Sequence, residues 1–272
     1  MSSSPFSHRS CGSKPIPMKE MRYTMKKDLL IILPAYNEEA SIGTFLQKLK
    51  DASILNLADV VVINDASSDA TPSIVRNLGI PMINHPYNLG YGAALQTGYK
   101  YAVAENYRYL IQIDSDGQHD VCNIDQIYRM LTKEENRPDL VIGTRFHKDS
   151  QSFSISQAKK IAIRFFRRFI KVTSKMTVTD PTSGLQGMNR KVFRYYSHFD
   201  NFDTNYPDAN MIVQMSLLGF NIQETPAVMH AREGGKSMHF GIIEPILYMF
   251  IMVFSTMNVY IRNRNKKGRM IS

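Results

Sequence analysis

Cysteine is scarce: the 272 residues contain two, Cys11 and Cys122. With one of them in a polar amino-terminal stretch they make no disulfide framework, which excludes a small stapled secreted fold and points to a reducing compartment. No secretory leader is expected in the first residues either. Residues 1–24, MSSSPFSHRSCGSKPIPMKEMRYT, are polar, basic and proline-containing, with no apolar stretch of the length a signal needs. A disordered tail is expected there, and Met18, Met21 and Met25 leave the true start open. Apolar runs long enough to span a bilayer are also lacking. The best, FGIIEPILYMFIMVFSTMNVYI, is interrupted by Glu244 and Pro245. The sixteen residues after Pro245, to Ile261, rise about 24 Å against a hydrocarbon core near 30 Å. Burying Glu244 in a full span would cost about 2–3 kcal/mol. Residues 240–272 are therefore expected to form an interfacial or re-entrant membrane-associated helix and a basic tail. The five cations of RNRNKKGR can each gain about 1 kcal/mol beside anionic lipid, which favours a cytoplasmic location at the inner face of the cell membrane.

What is present is ordinary globular material: 43% hydrophobic residues and a formal net charge of +9. That charge asks for an anionic partner without naming one. The aromatics show no nucleic-acid recognition module, so no nucleic acid is expected among the partners. From Asp28 onward apolar bursts alternate with helical patterns, the signature of βαβ units and a mostly parallel, doubly wound α/β sheet. DLLIILP, ADVVVIN, IPMINH, YRYLIQI and DLVIGT are the expected strands. The expected helices run from a Ser41 cap to about Lys50, through ATPSIVRNL with Pro72 in its first turn, from Tyr91 to about Glu105 and from Ile124 to Leu131. In such sheets ligands bind outside the carboxyl ends of the strands. The residues found there are Pro34, Ala35, Tyr36, Asn37 and Glu38, then Asp65, then Asp114 and Asp116, then Thr144 and Arg145.

The stretch YLIQIDSDGQHD places three aspartates within seven positions at the end of an apolar strand, where a metal ion, a basic side chain or plain solvent has to offset their repulsion, unless the loop is simply an acidic one. A calcium loop beginning at Asp114 fails, because its sixth position is His119 and the glycine is Gly117. A phosphatase with Asp114 as nucleophile fits weakly: Gln118 stands where threonine belongs, and the strand is the fourth rather than the first. What is left is an oxygen-rich site in which Asp116 and Gln118 point the same way, suited to a hard divalent cation that keeps positions for a diphosphate. Gly90, Gly92 and Gly98 do not form a dinucleotide fingerprint and are expected to serve close helix packing.

Together, ILPAYNEE, VINDASSDAT, NLGYGAALQTG, DSDGQH and GTR, in this order from residue 32 to residue 145, resemble the inverting glycosyltransferases of family 2, and within it the dolichol-phosphate mannose synthases and polyprenyl-phosphate sugar transferases. The resemblance implies a GT-A fold, Rossmann-like, with residues 25–239 as the glycosyltransferase domain: 25–145 the nucleotide-sugar-binding half and 146–239 the acceptor-binding half. It implies that Pro34, Ala35, Tyr36 and Glu38 line the nucleoside pocket and that Asp65 accepts hydrogen bonds from base or ribose. Asp114 is implied near the donor ribose or the metal, and Asp116 with Gln118 would hold Mg²⁺ or Mn²⁺. One departure stands out. The family usually has two aspartates and then glycine where this chain has Asn64, Asp65 and Ala66. Such a cation can supply several kcal/mol of stabilisation to the departing diphosphate, and Arg145 either forks onto a phosphate or pairs with a neighbouring acid.

In the second half, VTDPTSGLQGMNRKVF resembles the family's D-x-x-S-G segment. Asp180, Ser183 and Gly184 there either border the acceptor cavity or form an ordinary turn. Asp208 opens an amphipathic helix, as general base toward a hydroxyl acceptor or as a charge favouring the helix dipole. MHAREGGKSM is similar to the family's loop over the donor diphosphate, with Arg232 and Lys236 supplying charge and Gly234 and Gly235 freedom to move. Between Lys159 and Lys175 a helix sets Lys160, Arg164, Arg167, Arg168 and Lys171 on one stripe and aromatics opposite, suited to a membrane interface or to a solvated core helix. The expected activity is inverting transfer of a sugar from a nucleotide diphosphate to a polyprenyl-phosphate or other lipid-linked acceptor, with a hydroxyl-directed transferase of surface polysaccharide as the alternative.

Overall fold

The computed structural model describes residues 27–150, 157–230 and 243–263. The chain runs β1 (Leu29–Ala35), α1 (Ile42–Asp51), α2 (Ile54–Leu57), β2 (Ala58–Asn64), α3 (Thr71–Asn77), β3 (Met82–Asn84), α4 (Tyr91–Ala104), β4 (Tyr109–Gln112), α5 (Cys122–Thr132) and β5 (Leu140–Thr144). It continues through α6 (Gln157–Ser174), β6 (Gln186–Asn189), α7 (Arg190–Ser197), α8 (Ala209–Leu218), β7 (Ile222–Pro226) and α9 (Ile243–Asn263). All five expected strands and the expected helices are present. α2 is an extra single turn.

Every residue of β1 is buried, as a strand covered on both faces requires. Its side chains alternate. Leu30 and Ile32 pack beneath α4, α7 and α8, whereas Leu29, Ile31 and Leu33 join Phe45, Leu46 and Ile127 on the other face. Gly98 is what allows α4 to lie so close to β1, since a Cβ there would stand 2.7 Å from the Ile32 side chain.

The seven strands are ordered β3-β2-β1-β4-β6-β5-β7. β6 is antiparallel to both β4 and β5, and the other pairs are parallel. The carboxyl ends of β1, β2, β4 and β5 therefore share one edge. β5 does not touch β4, because a strand from the second half of the chain is inserted between them. The first 145 residues and the later part of the chain thus interleave in one sheet.

Three local expectations need correction. Ser41 occupies the N-cap of α1 but does not cap it: its hydroxyl donates to Glu38 Oε2 at 2.8 Å and to the Ser115 carbonyl at 3.0 Å, tying two loops together. α8 is buried on nearly every side rather than amphipathic, because α6 covers it in one direction and α9 in another. On α6, Ile163, Phe166 and Ile170 face the core, and Arg167 turns inward. Its Nε donates to the Thr179 carbonyl and its guanidinium lies 4.4 Å from the Phe146 ring centroid, so the basic stripe is not continuous. Residues 1–24, Arg232, Lys236 and the tail beyond Asn263 lie outside the described residues.

Candidate active site

The first wall of the site is built by backbone geometry. Leaving β1, Pro34 and Ala35 are buried, and their carbonyls accept from Ser115 Oγ at 2.8 Å and from the Asp65 amide at 2.9 Å. Asn37 then takes a left-handed φ of 54°, which short amide side chains tolerate. It interlocks with the loop after β2: its amide donates to Ser67 Oγ, and its side chain accepts from the Ser68 amide at 2.8 Å. Glu38 accepts from Ser41, while its amide donates to Thr71 Oγ1 at 2.8 Å. Tyr36, 48% exposed, is left projecting from this braced turn.

Asp65 has a different setting from that expected. It is buried; Oδ1 meets His85 Nδ1 at 2.7 Å and the Leu89 amide at 2.9 Å, and Oδ2 accepts from the Gly90 amide at 2.8 Å. His85 continues to Thr97 Oγ1 at 2.9 Å. The carboxylate therefore organises the loop leading into α4, with its donors inside the protein.

The turn after β4 carries the acidic cluster. Asp114 Oδ1 accepts from the Tyr91 hydroxyl at 2.9 Å, and the His119 imidazole lies 3.7 Å from Oδ2. Burial pushes the Asp114 carboxyl up, but His119, the Tyr91 bond and the charge of Arg145 outweigh it and hold the group below the usual carboxylate range. For Tyr91 burial and the neighbouring Asp114 charge act together, keeping the phenol far above its ordinary value and so a permanent donor. Gly184 completes the fit, since a Cβ there would stand 2.3 Å from Asp114 Oδ2. Two residues on, Asp116 Oδ1 accepts from the Gln118 amide at 3.0 Å, closing the turn. Two carboxylates and an amide oxygen on this turn are the hard donors that Mg²⁺ or Mn²⁺ prefers. Among the described residues no group of three or more His, Cys, Asp or Glu side chains could hold a metal alone. A cation held by this donor set would have to take its remaining oxygens from water or a bound diphosphate.

Across the edge, Arg145 takes the second of its two expected roles and pairs with a neighbouring acid. Its Nε and Nη2 grip Asp180 Oδ2 and Oδ1 at 2.7 Å each, and Nη2 also reaches Thr182 Oγ1 at 2.8 Å. Asp180 is 0% exposed, so it orients the arginine instead of lining a cavity. Burial disfavours the Arg145 charge, yet Asp180, with Asp114 and Asp208 behind it, more than compensates and raises its pKa. Ser183 is buried too, donating to the Gly143 carbonyl at 2.6 Å. Beneath this turn Glu224 accepts from the Thr179 and Asp180 amides at 2.8–3.0 Å.

Asp208 precedes α8 with no side-chain capping bond, and its negative charge is the last of several influences that raise the pKa of Tyr91 and of Arg145. Its amide donates to Asn210 Oδ1 at 2.9 Å. Asn210 in turn joins Asp203 Oδ2 at 2.8 Å and Ser255 Oγ at 2.7 Å, a knot that ties the Asp208 turn to α9. The 203–208 segment also presses on α4, where a Cβ on Gly92 would meet the Thr204 carbonyl at 2.3 Å. Sequence reasoning did not assign Tyr91, His85, His119 or Glu224. Tyr91 and His119 stand within the motif blocks, so position alone could have flagged them. Glu224 gave no local signal.

The chain is 27% identical to a dolichyl-phosphate hexose transferase of Haloferax volcanii, over 76% of this chain and 85% of that one. It is 26% identical to an undecaprenyl-phosphate mannosyltransferase of Micrococcus luteus, over 79% and 89% respectively. Its fold matches that of glucosyl-3-phosphoglycerate synthase from Mycobacterium tuberculosis, solved with Mn²⁺, UDP and glucosyl-3-phosphoglycerate. The TM-score is 0.61 at 15% identity, covering 87% of this chain and 80% of that one, which makes the architecture GT-A. The pattern of glycosyl transferase family 2 matches residues 30–197, and the chain belongs to that family.

Proposed function

We propose that this glycosyltransferase moves a hexosyl group, with inversion, from a nucleotide-diphosphate sugar to a polyprenyl phosphate at the inner face of a membrane. The observation that carries the reading is the convergence of Asp114, the Asp116–Gln118 turn, Arg145 and Asp208 at one sheet edge. The two curated relatives, whose names specify dolichyl and undecaprenyl phosphate, support the choice of acceptor. In the reaction an acceptor oxygen bonds to the anomeric carbon of the sugar from the face opposite the nucleotide. The bond from that carbon to the diphosphate breaks, and the electron pair leaves on the nucleoside diphosphate.

The residues divide the labour. Tyr36 offers a ring face to the base, with Pro34, Ala35 and Glu38 shaping the turn behind it, while Asp65 keeps the loop before α4 in place. Asp114, Asp116 and Gln118 would hold Mg²⁺ or Mn²⁺, which when bound neutralises charge growing on the departing diphosphate. Tyr91 fixes the Asp114 carboxylate by donating to it. Arg145, aligned by Asp180, adds fixed positive potential to the cleft. Arg232 and Lys236 would close over the diphosphate, and Ser183 and Gly184 would set the acceptor-side wall.

A phosphate monoester, with a second pKa of about 6, is already ionised at neutral pH and needs no base. A hydroxyl acceptor would need one, and the negative charge of Asp208, which acts on both Tyr91 and Arg145, favours that second reading. Assays of the Asp208→Asn variant separate the two. A phosphate transferase should keep kcat within about threefold of the parent, whereas a hydroxyl transferase should lose at least about a hundredfold, the usual worth of a general base. The activity itself is tested by supplying radiolabelled nucleotide sugars with polyprenyl phosphate and Mn²⁺. Label should enter the organic phase and disappear with EDTA. Label remaining wholly in water would refute the lipid acceptor.

A further inference from the structure

α9 is apolar on two opposite sides. Met252, Thr256, Val259 and Asn263 are buried, and the helix packs along α8. On the other side Phe250, Phe254, Met257 and Ile261 are between 51% and 70% exposed. Their spacing of four, three and four residues keeps them within about 60° of arc at 100° per residue, an unbroken ridge roughly opposite the buried side. A soluble surface has no use for two phenylalanines, a methionine and an isoleucine in line. Among the described residues nothing covers this ridge.

The chemistry of the neighbouring sequence identifies the occupant. From Pro245 to Ser272 there is no acidic side chain; Arg262, whose guanidinium donates to the Asp200 carbonyl, is followed in sequence by Arg264, Lys266, Lys267 and Arg269. An apolar ridge followed in sequence by a run of basic residues with no acid among them is complementary to acyl chains beneath anionic headgroups. A protein partner would have to provide both an apolar groove and a matching acidic patch. No helix among the described residues is long and apolar enough to cross a membrane, so the ridge is suited to lying in the interface plane. We propose that α9 docks flat on an anionic phospholipid surface through Phe250, Phe254, Met257 and Ile261, with the basic residues that follow holding the headgroups.

This goes beyond the proposed acceptor by assigning the face that meets the lipid, and it can fail independently, because its test uses neither donor nor acceptor. The probe is flotation of the full chain with phosphatidylcholine vesicles, with and without phosphatidylglycerol. The parent should float with the phosphatidylglycerol vesicles, less so at high salt. The triple variant Phe250→Ser, Phe254→Ser, Met257→Ser should bind at least about tenfold more weakly with an unchanged melting temperature, these side chains being exposed. As a second variant that leaves the helix untouched, Lys266→Gln with Lys267→Gln should weaken binding to phosphatidylglycerol vesicles. Equal flotation of the parent and the triple variant would overturn the proposal. So would a parent that binds no vesicle, or one that light scattering finds to be a dimer dispersed by the triple variant, since the ridge would then meet a second copy.

Discussion

Gly184 and Ala66 mark where a single methyl group decides the site. Gly184 lets the backbone approach Asp114 so closely that an added Cβ would stand 2.3 Å from Oδ2. In Gly184→Ala the carboxylate has to shift, and with Asp114 holding the cation as proposed, the Mn²⁺ concentration for half-maximal rate should rise at least about tenfold. Titrating initial rates against Mn²⁺ checks it; an unchanged midpoint would separate Asp114 from the cation. Ala66 has the opposite problem. It holds φ at 59°, where a side chain costs about 1–2 kcal/mol, in the place the family gives to glycine. Glycine also loses about 0.5–1 kcal/mol more on folding than alanine. Ala66→Gly should therefore gain roughly 0.5–1 kcal/mol in urea unfolding, and a loss of stability would mean the turn is not strained. The sequence revealed which residue types gather here but not their partners. Arg145 and Asp180 are 35 positions apart, and only the fold turns a candidate phosphate fork into a buried ion pair.

Between elements, the same limit explains what could be read and what could not. The strands of the first half were legible because continuous apolar runs bounded by polar turns require a doubly covered sheet. α8 and the basic stripe of α6 were misread because periodicity reports one helix at a time, whereas burial depends on neighbours far along the chain. One inter-element contact carries a pH signature. The loop after β4 pairs with residues 228–230: the Asp120 amide donates to the Val228 carbonyl, and Asp120 Oδ2 meets His230 Nε2 at 2.9 Å. Burial pushes the Asp120 carboxyl up, but the Cys122 amide and His230 outweigh it and bring its pKa to about 2, from 3.8. A carboxyl lowered on folding stabilises the native state above its unfolded pKa. That support drains as the pH falls from about 3.8 toward 2. Asp120→Asn should flatten the decline of urea stability over this interval and leave the slope above pH 5 unchanged. Parallel pH profiles for parent and variant would assign the decline elsewhere.

At the scale of the whole molecule, the nucleotide-side half reads in sequence as a self-sufficient doubly wound unit, and the strand order says otherwise. Within residues 27–145 β1 pairs with β2 and β4, and β2 pairs with β3, but β5 has no partner from that half. Both of its neighbours, β6 and β7, come from later in the chain, and β6 closes the gap by running antiparallel between β4 and β5. Gly187 on β6 makes the fit tight, since a Cβ there would meet the Ile127 side chain of α5 at 2.1 Å. Without β6 and β7, the fully buried β5 residues Leu140, Val141 and Ile142 would be exposed along two unpaired edges. Asp114 on the turn after β4 and Gly184 and Asp180 on the connection leading into β6 are thus brought together by one sheet. A fragment of residues 27–145 should accordingly show no cooperative thermal transition and no shift in melting with nucleotide diphosphate and Mn²⁺, and it should aggregate. The full chain should melt in one step, as a single sheet with a shared core requires. Circular dichroism melts of both, with a dispersed amide NMR spectrum as the criterion for folding, decide it: a fragment that folds and binds nucleotide would make the second half an addition to a finished domain.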